Sequence, residues 1–160
     1  MLFSAHGLPE RVIKAGDPYQ SQVERTAQAI ADRIRGLDDW SVCYQSRVGP
    51  LKWIGPSTDA EITRAGSEGK AVVLYPLSFV SEHSETLVEL DIDYRRLAEQ
   101  NAVPTYVRIP TVGTNPAFIA GLADRVRALL AEPQVALRHG ARSMPCGQSH
   151  TGCPLVASRS

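Results

Sequence analysis

The chain has 160 residues, which suits one domain of ordinary size. With 43% hydrophobic and 21% charged residues it can bury a core and is not a disordered tail. Its 17 basic residues balance 17 acidic ones without a basic run, which argues against nucleic acid or an anionic membrane surface as a partner. No apolar stretch approaches the roughly 20 residues of a transmembrane helix. The segment from Met1 to His6 has neither the basic flank nor the apolar length of a secretory signal. Three cysteines, an odd number in a chain with ample core, point to a reducing compartment, and the cytoplasm is the expected location.

Met1 to Ala5 is a short apolar run that stops at His6-Gly7-Leu8-Pro9, a strand ending in a loop. From Tyr19 to Gly36, Val23, Ala27, Ile30 and Ile34 recur at spacings of three and four, which predicts an amphipathic helix ended by Gly36. Trp40 to Ser46 alternates as a strand does. Two Gly-Pro pairs then make a loop, and Ser57 or Thr58 caps a helix to about Ala65. Lys70 to Phe79 contains a continuous apolar run, Ala71 to Tyr75, suited to a central parallel strand covered on both faces. Ser81 to about Asn101 is predicted as the longest helix, with Leu87, Leu90, Tyr94 and Leu97 inward. Thr105 to Ile109 is a further strand, and Asn115-Pro116 opens a last helix to about Leu130. Strands alternating with helices predict a three-layer, Rossmann-like α/β domain over residues 1–132, with about four parallel strands between helices. Residues 133–160, without periodicity, are expected to be a loosely ordered tail.

Ligands in such sheets sit beyond the carboxyl ends of the strands, and three segments fall there. His6 follows the first strand, where Gly7 lets the chain turn and Pro9 stops the strand. Alone, it equally fits a loop histidine bonded to nearby backbone. The second segment runs from Ser81 to Asp93. On a helix its Glu82, Glu85, Glu89 and Asp93 share one stripe, either a solvated acidic face or a carboxylate track with His83 at its mouth. Carboxylates with an imidazole suit a divalent iron that must be held and then released. The third, Gln45 to Thr58, has two Gly-Pro pairs and Trp53. It fits the wall of a pocket for a flat aromatic ligand, or a Trp filling a gap over the sheet.

Taken together and in this order, the segments resemble the ferrochelatase family. One family signature is similar to Leu2-Phe3-Ser4-Ala5-His6-Gly7-Leu8-Pro9 with Gly16-Asp17-Pro18-Tyr19. The other resembles Phe79-Val80-Ser81-Glu82-His83-Ser84-Glu85-Thr86-Leu87-Val88-Glu89-Leu90-Asp91, and the loop from Gln45 to Thr58 also matches in kind. The resemblance implies insertion of Fe²⁺ into a porphyrin, protoporphyrin IX, in haem biosynthesis. His6 would face the macrocycle centre as proton acceptor or metal ligand, with Glu85 opposite as the second such group. His83 and Glu89 would extend the path outward with Glu82 at its edge, and Tyr19 and Trp53 would line the porphyrin pocket.

The chain starts at the strand bearing His6, so the family's preceding half is absent. It is expected to need that N-terminal half, or a homodimer partner, and to be inactive alone. Some members also hold a [2Fe–2S] cluster. Here Cys146 and Cys153 match the spacing of one bacterial version, with His150 as a substitute ligand, but Leu155 stands where that version has another Cys. Cys43, in a predicted core strand, suits a fourth ligand poorly, and the alternative is a tail with two free thiols. Competing functions are a related coproporphyrin or cobalt chelatase, and a noncatalytic tetrapyrrole- or iron-binding module derived from a chelatase.

Overall fold

A computed structural model describes residues 1–131. The expected tail, with Cys146, His150 and Cys153, lies outside the described residues. Four strands, β1 (Leu2–His6), β2 (Ser41–Gln45), β3 (Val72–Pro76) and β4 (Tyr106–Arg108), form one sheet in the order β2-β1-β3-β4. All pairings are parallel, with His6 level with Gln45 and Leu74 level with Arg108. The α/β fold with a parallel sheet is therefore as the sequence predicts.

Side-chain alternation along β1 explains the layers. Phe3 and Ala5 point to one face and pack with Val23, Ala27 and Ala31 of α2 (Tyr19–Ala31) and with Tyr44 and Leu77. Leu2 points to the other face, where it meets Ile62 and Ala65 of α3 (Thr58–Ser67) and Leu90, Tyr94 and Ala98. Ser57 caps α3, its hydroxyl accepting from the Ala60 N–H at 3.1 Å. A short α1 (Glu10–Lys14) after Pro9 escapes periodicity because its 5 residues are barely more than one turn.

Four expectations need correction. The helix predicted over 81–101 is broken into α4 (Ser84–Leu87), a π turn (Glu89–Asp93) and α5 (Tyr94–Gln100). The Asp93 N–H reaches back five residues to the Val88 carbonyl at 3.0 Å, and the extra residue rotates the faces on either side out of phase. Leu87, predicted inward, is consequently 48% exposed, whereas Leu90 and Tyr94 are buried. The helix α2 stops at Ala31 rather than Gly36, leaving Ile34 exposed. The strand β3 ends at Pro76 rather than running to Phe79, because Pro76 cannot donate to a ladder. Nor is β3 covered on both faces throughout: Val73 and its neighbour Val107 are 38% and 48% exposed. The last helix, α6 (Pro116–Ala131), starts as expected, Asn115 Oδ1 accepting from the Ala117 N–H at 3.0 Å.

Candidate active site

From β1 the chain builds β2 on one side and then crosses to β3 on the other. The crevice between the carboxyl ends of β1 and β3 is therefore the point where strand order reverses, the usual place for a ligand. His6 ends β1 at this crevice. Its backbone is pinned from two directions, for the Tyr19 hydroxyl donates to the His6 carbonyl at 2.9 Å and the Gly7 N–H donates to the Gln45 carbonyl at 2.8 Å. Burial pushes the Tyr19 phenol up. Gly7 is required by space: a Cβ there would stand 3.0 Å from the Gln45 carbonyl oxygen and 3.1 Å from Cγ of Arg47.

The His6 ring has a defined tautomer. Nδ1 lies 2.7 Å from the Gly7 carbonyl oxygen, which can only accept, so Nδ1 carries the hydrogen. In the neutral ring Nε2 is then a lone pair, and it faces Oε1 of Glu85 at 3.7 Å. Two lone-pair donors directed at one another invite a proton or a cation between them. Nδ1–H held by a backbone carbonyl is also how histidines are oriented as metal ligands.

Glu85 stands on the 4-residue α4. Its own carbonyl accepts from Gln45 Nε2 at 2.8 Å, and that amide also donates to Glu89 at 3.0 Å. Gln45 is fully buried, and its Oε1 accepts from the Ser4 hydroxyl, which lies 2.8 Å from the Thr58 hydroxyl. The ends of β1, β2, α3 and α4 are thus joined by one polar network beneath the crevice.

The acidic stripe expected from helical spacing does not persist as one track. Glu89, the first residue of the π turn, is turned inward and bound by the Ser46 N–H at 2.6 Å, the Ser46 hydroxyl at 2.5 Å and the Tyr94 hydroxyl at 3.1 Å. Ser46 adopts a left-handed backbone (φ 58°), uncommon for a residue with a side chain, and this conformation accompanies the aim of both its donors at one carboxylate. Glu82 precedes α4 and binds Arg108 at 2.6 Å and the Thr111 N–H at 2.9 Å. Burial alone would raise its carboxyl, but the Thr111 N–H, the Thr86 hydroxyl and Arg108 outweigh that and hold it at about 2. Asp93 is exposed. His83 is the N-cap of α4, its Nδ1 accepting from the Glu85 N–H at 3.2 Å, and its ring lies against Phe79. Trp53 flanks Gly7 and pairs with Pro9 across the two loops. Its buried Nε1 has no hydrogen-bond partner among the described residues.

Among the described residues no group of three or more His, Cys, Asp or Glu side chains is placed to hold a metal, so the site offers a pair of donors. Cys43 does not fit a cluster ligand: it is fully buried, its Sγ directed at the Phe3 carbonyl, and burial pushes its thiol up to about 12. The sequence reading places Gln45 and Ser46 in the Gln45–Thr58 pocket-wall segment without giving either its own role, and it misses Arg108, which no motif marks. Gln45 ends β2 level with His6, with Ser46 next to it.

An α/β unit with a His–carboxylate pair at its switch point defines a class, and comparison with known proteins narrows it. Residues 1–130 match the family described as Ferrochelatase. The chain is 55% identical over 154 residues to a ferrochelatase of Caulobacter vibrioides, covering 96% of this chain and 44% of that protein. It is 56% identical over 126 residues to one of Wolbachia pipientis wMel, covering 78% and 39%, and 53% identical over 125 residues to one of Rickettsia conorii, covering 78% and 36%. A solved CbiX protein assigned to cobalamin (vitamin B12) biosynthesis in Marinobacter aquaeolei VT8 shares the fold. Its TM-score is 0.58 at 19% identity, over 81% of this chain and 95% of that one. The chain belongs to the ferrochelatase family. It spans less than half the length of these curated relatives.

Proposed function

We propose that this chain supplies the metal-inserting half of a ferrochelatase, which places Fe²⁺ into protoporphyrin IX in haem biosynthesis. The observation that carries the reading is His6 Nε2 facing Glu85 Oε1 across 3.7 Å at the switch point. A divalent ion with bonds of about 2.1 Å can touch both atoms across that gap. Two protein donors leave the remaining coordination positions for the four nitrogens of the macrocycle, so the iron is held loosely enough to pass on. The charge balance is simple: Fe²⁺ enters and two pyrrole N–H protons leave. The single lone pair of His6 Nε2 either holds the metal or accepts the first proton, the Glu85 carboxylate takes the other of these two roles, and the second proton passes to solvent water. His83 flanks the entry, and Glu89 holds the π turn behind it. Tyr19 fixes the His6 backbone, and Trp53 forms the wall beside Gly7 against which a flat ring can lie.

The remainder of the enzyme is proposed to cover surfaces left apolar here. Ile119, Leu122, Val126, Leu129 and Leu130 form an exposed stripe at helical spacing on α6, and none of that helix is buried. With Val73 and Val107 they suit packing by the N-terminal half or, in its absence, by a second copy. Among the described residues no helix is long and apolar enough to cross a membrane, and the free buried thiol of Cys43 agrees with a reducing cytoplasm. The test is iron insertion by the 160-residue chain alone and mixed with the N-terminal half of a relative, with solution mass recorded in parallel. We expect negligible turnover alone, with self-association, and turnover on mixing. Insertion by a monomer of this chain would overturn the division of labour. Failure of the complete enzyme would overturn the activity.

A further inference from the structure

The geometry points to Arg108 as a positioning residue for metal insertion, one that sets Glu85 opposite His6 by bracketing residues 82–91. Resting on the reading of the site above, this inference adds a residue that touches neither metal nor porphyrin.

Arg108 ends β4 and its side chain is only 9% exposed. Its guanidinium is divided between two carboxylates. Nε donates to Asp91 Oδ1 at 2.9 Å and Nη2 to Asp91 Oδ2, while Nη1 donates to Glu82 Oε1 at 2.6 Å. Glu82 immediately precedes His83, and Asp91 lies within the π turn. One guanidinium thus ties both ends of the segment that carries His83, Glu85 and Glu89. The arginine is itself referenced to the sheet, for β4 pairs with β3 at Leu74 and the Ile109 N–H donates to the Leu74 carbonyl at 2.8 Å. The same sheet carries His6, so the Arg108 bracket and the His6 ring share one rigid frame.

The segment needs such a tie. An isolated 4-residue helix cannot hold its own geometry, and a π turn separates α4 from the 7 residues of α5. From the inner side Gln45 holds the Glu85 carbonyl. From the outer side Arg108 supplies the counterpart. A planar fork is suited to this task because it makes a two-bond contact with one carboxylate and still reaches a second, whereas a lysine offers one compact point charge. Displacements of about 1 Å in a catalytic group commonly cost about a hundredfold in rate, so the bracket matters to chemistry beyond its worth to stability.

The experiment uses the complete enzyme carrying Arg108→Lys, Glu82→Ala, or both. Three readouts are taken at a temperature where each variant is folded: kcat and KM for Fe²⁺ and for porphyrin, affinity for Zn²⁺ without porphyrin, and melting temperature. For Arg108→Lys we expect kcat/KM for iron to fall about 10- to 100-fold and Zn²⁺ to bind about tenfold more weakly. The porphyrin KM should change by less than about twofold, because the wall at Trp53 is untouched. Glu82→Ala should give a smaller loss of the same kind, and the double variant should lose less than the product of the two, since both act through one bracket. A folded Arg108→Lys enzyme with wild-type kinetics and Zn²⁺ affinity, and only a lower melting temperature, would overturn the inference. Should that variant not fold, wild-type kinetics and Zn²⁺ affinity in Glu82→Ala would do the same. Absence of iron insertion by the unmutated enzyme would strike the proposed function instead, and the Zn²⁺ affinities would still decide the role of Arg108.

Discussion

At the amino edge of the sheet Arg64 bridges Glu61 at 2.8 Å and Glu68 at 3.0 Å, and Lys70 joins Glu68 to Asp39. At the carboxyl edge Arg108 bridges Asp91 and Glu82. The chemistry is the same, a guanidinium shared by two carboxylates, but the settings differ. Arg64 is 39% exposed and spans neighbouring turns of α3, whereas Arg108 is 9% exposed and joins elements far apart in sequence. Water screens the first pair and leaves it worth little. The second fixes one loop relative to another. An ion pair acquires functional meaning from what it joins and from the lone-pair donors beside it, and only the carboxyl edge has His6 and Glu85.

The comparison is broken most sharply at His6. In the complete enzyme His6→Ala should lower metallation by about 10²- to 10⁴-fold, the usual contribution of a positioned acid–base group. Melting temperature should stay level, because the ring is partly exposed and, among the described residues, its ties are a hydrogen bond to the neighbouring Gly7 carbonyl and the half-exposed Glu85 carboxylate at 3.7 Å. A folded His6→Ala enzyme that inserts iron at the normal rate would remove the carboxyl edge from the chemistry.

Within the carboxyl edge, Glu85 and Glu89 should part company. Glu85→Gln should nearly eliminate turnover and leave stability level, since its side chain is 41% exposed. Glu89→Gln should cost about 1–3 kcal/mol of stability, because the new amide must face donors from Gln45, Ser46 and Tyr94. The acidic stripe read from helical spacing predicts the reverse, stability level or slightly raised, because removing one of several like charges at spacings of three and four relieves repulsion. Denaturant titration of both variants checks it.

That reversal shows what the sequence could carry. The strand ends that collect His6 and the 82–91 segment were legible, because apolar runs and Gly-Pro stops mark strands and their termini. The helix from Ser81 to Asn101 looked continuous because its residues suit a helix throughout. The π turn is apparent only from the backbone bond between Asp93 and Val88 and from the inward place of Glu89 beside Ser46. Arg108 was invisible for a similar reason. A lone arginine at a strand end has no periodic signal, and its partners lie 17 and 26 residues away.

Acid should also separate Glu82 from an ordinary surface carboxylate. Its folded pKa, about 2, is below the ordinary value of 4.5, so its stabilising contribution is complete above about pH 5 and is lost as pH falls toward 2. With its side chain 33% exposed, that contribution should be about 1–2 kcal/mol after screening. The stability gap between the unmutated protein and Glu82→Ala should therefore narrow steadily between pH 5 and about 2. A gap that does not change with pH would mean that packing, not the charge on Glu82, accounts for the loss.

The smallest effect is expected at Arg64. Arg64→Ala leaves Glu61 with the Ser41 hydroxyl at 2.8 Å as its remaining partner, and Glu68 still has Lys70. The carboxyl of Glu61 is pushed up by burial but lowered on balance by Arg64 and Ser41, so some of its preference for the charged form survives the substitution. The loss should be about 0.5–1 kcal/mol, shrinking further at high salt because the pair is screened. Iron insertion should be unchanged, since α3 meets the network beneath the crevice through its first turn, where the Thr58 hydroxyl lies against Ser4 and Asp59 against the Tyr94 hydroxyl, at the end of the helix away from Arg64. Melting curves at low and high salt, with metallation rates on the same samples, make the test. A drop in metallation from Arg64→Ala comparable with that from Arg108→Lys would mean that the two edges are mechanically coupled through α3, and the distinction between them would fail.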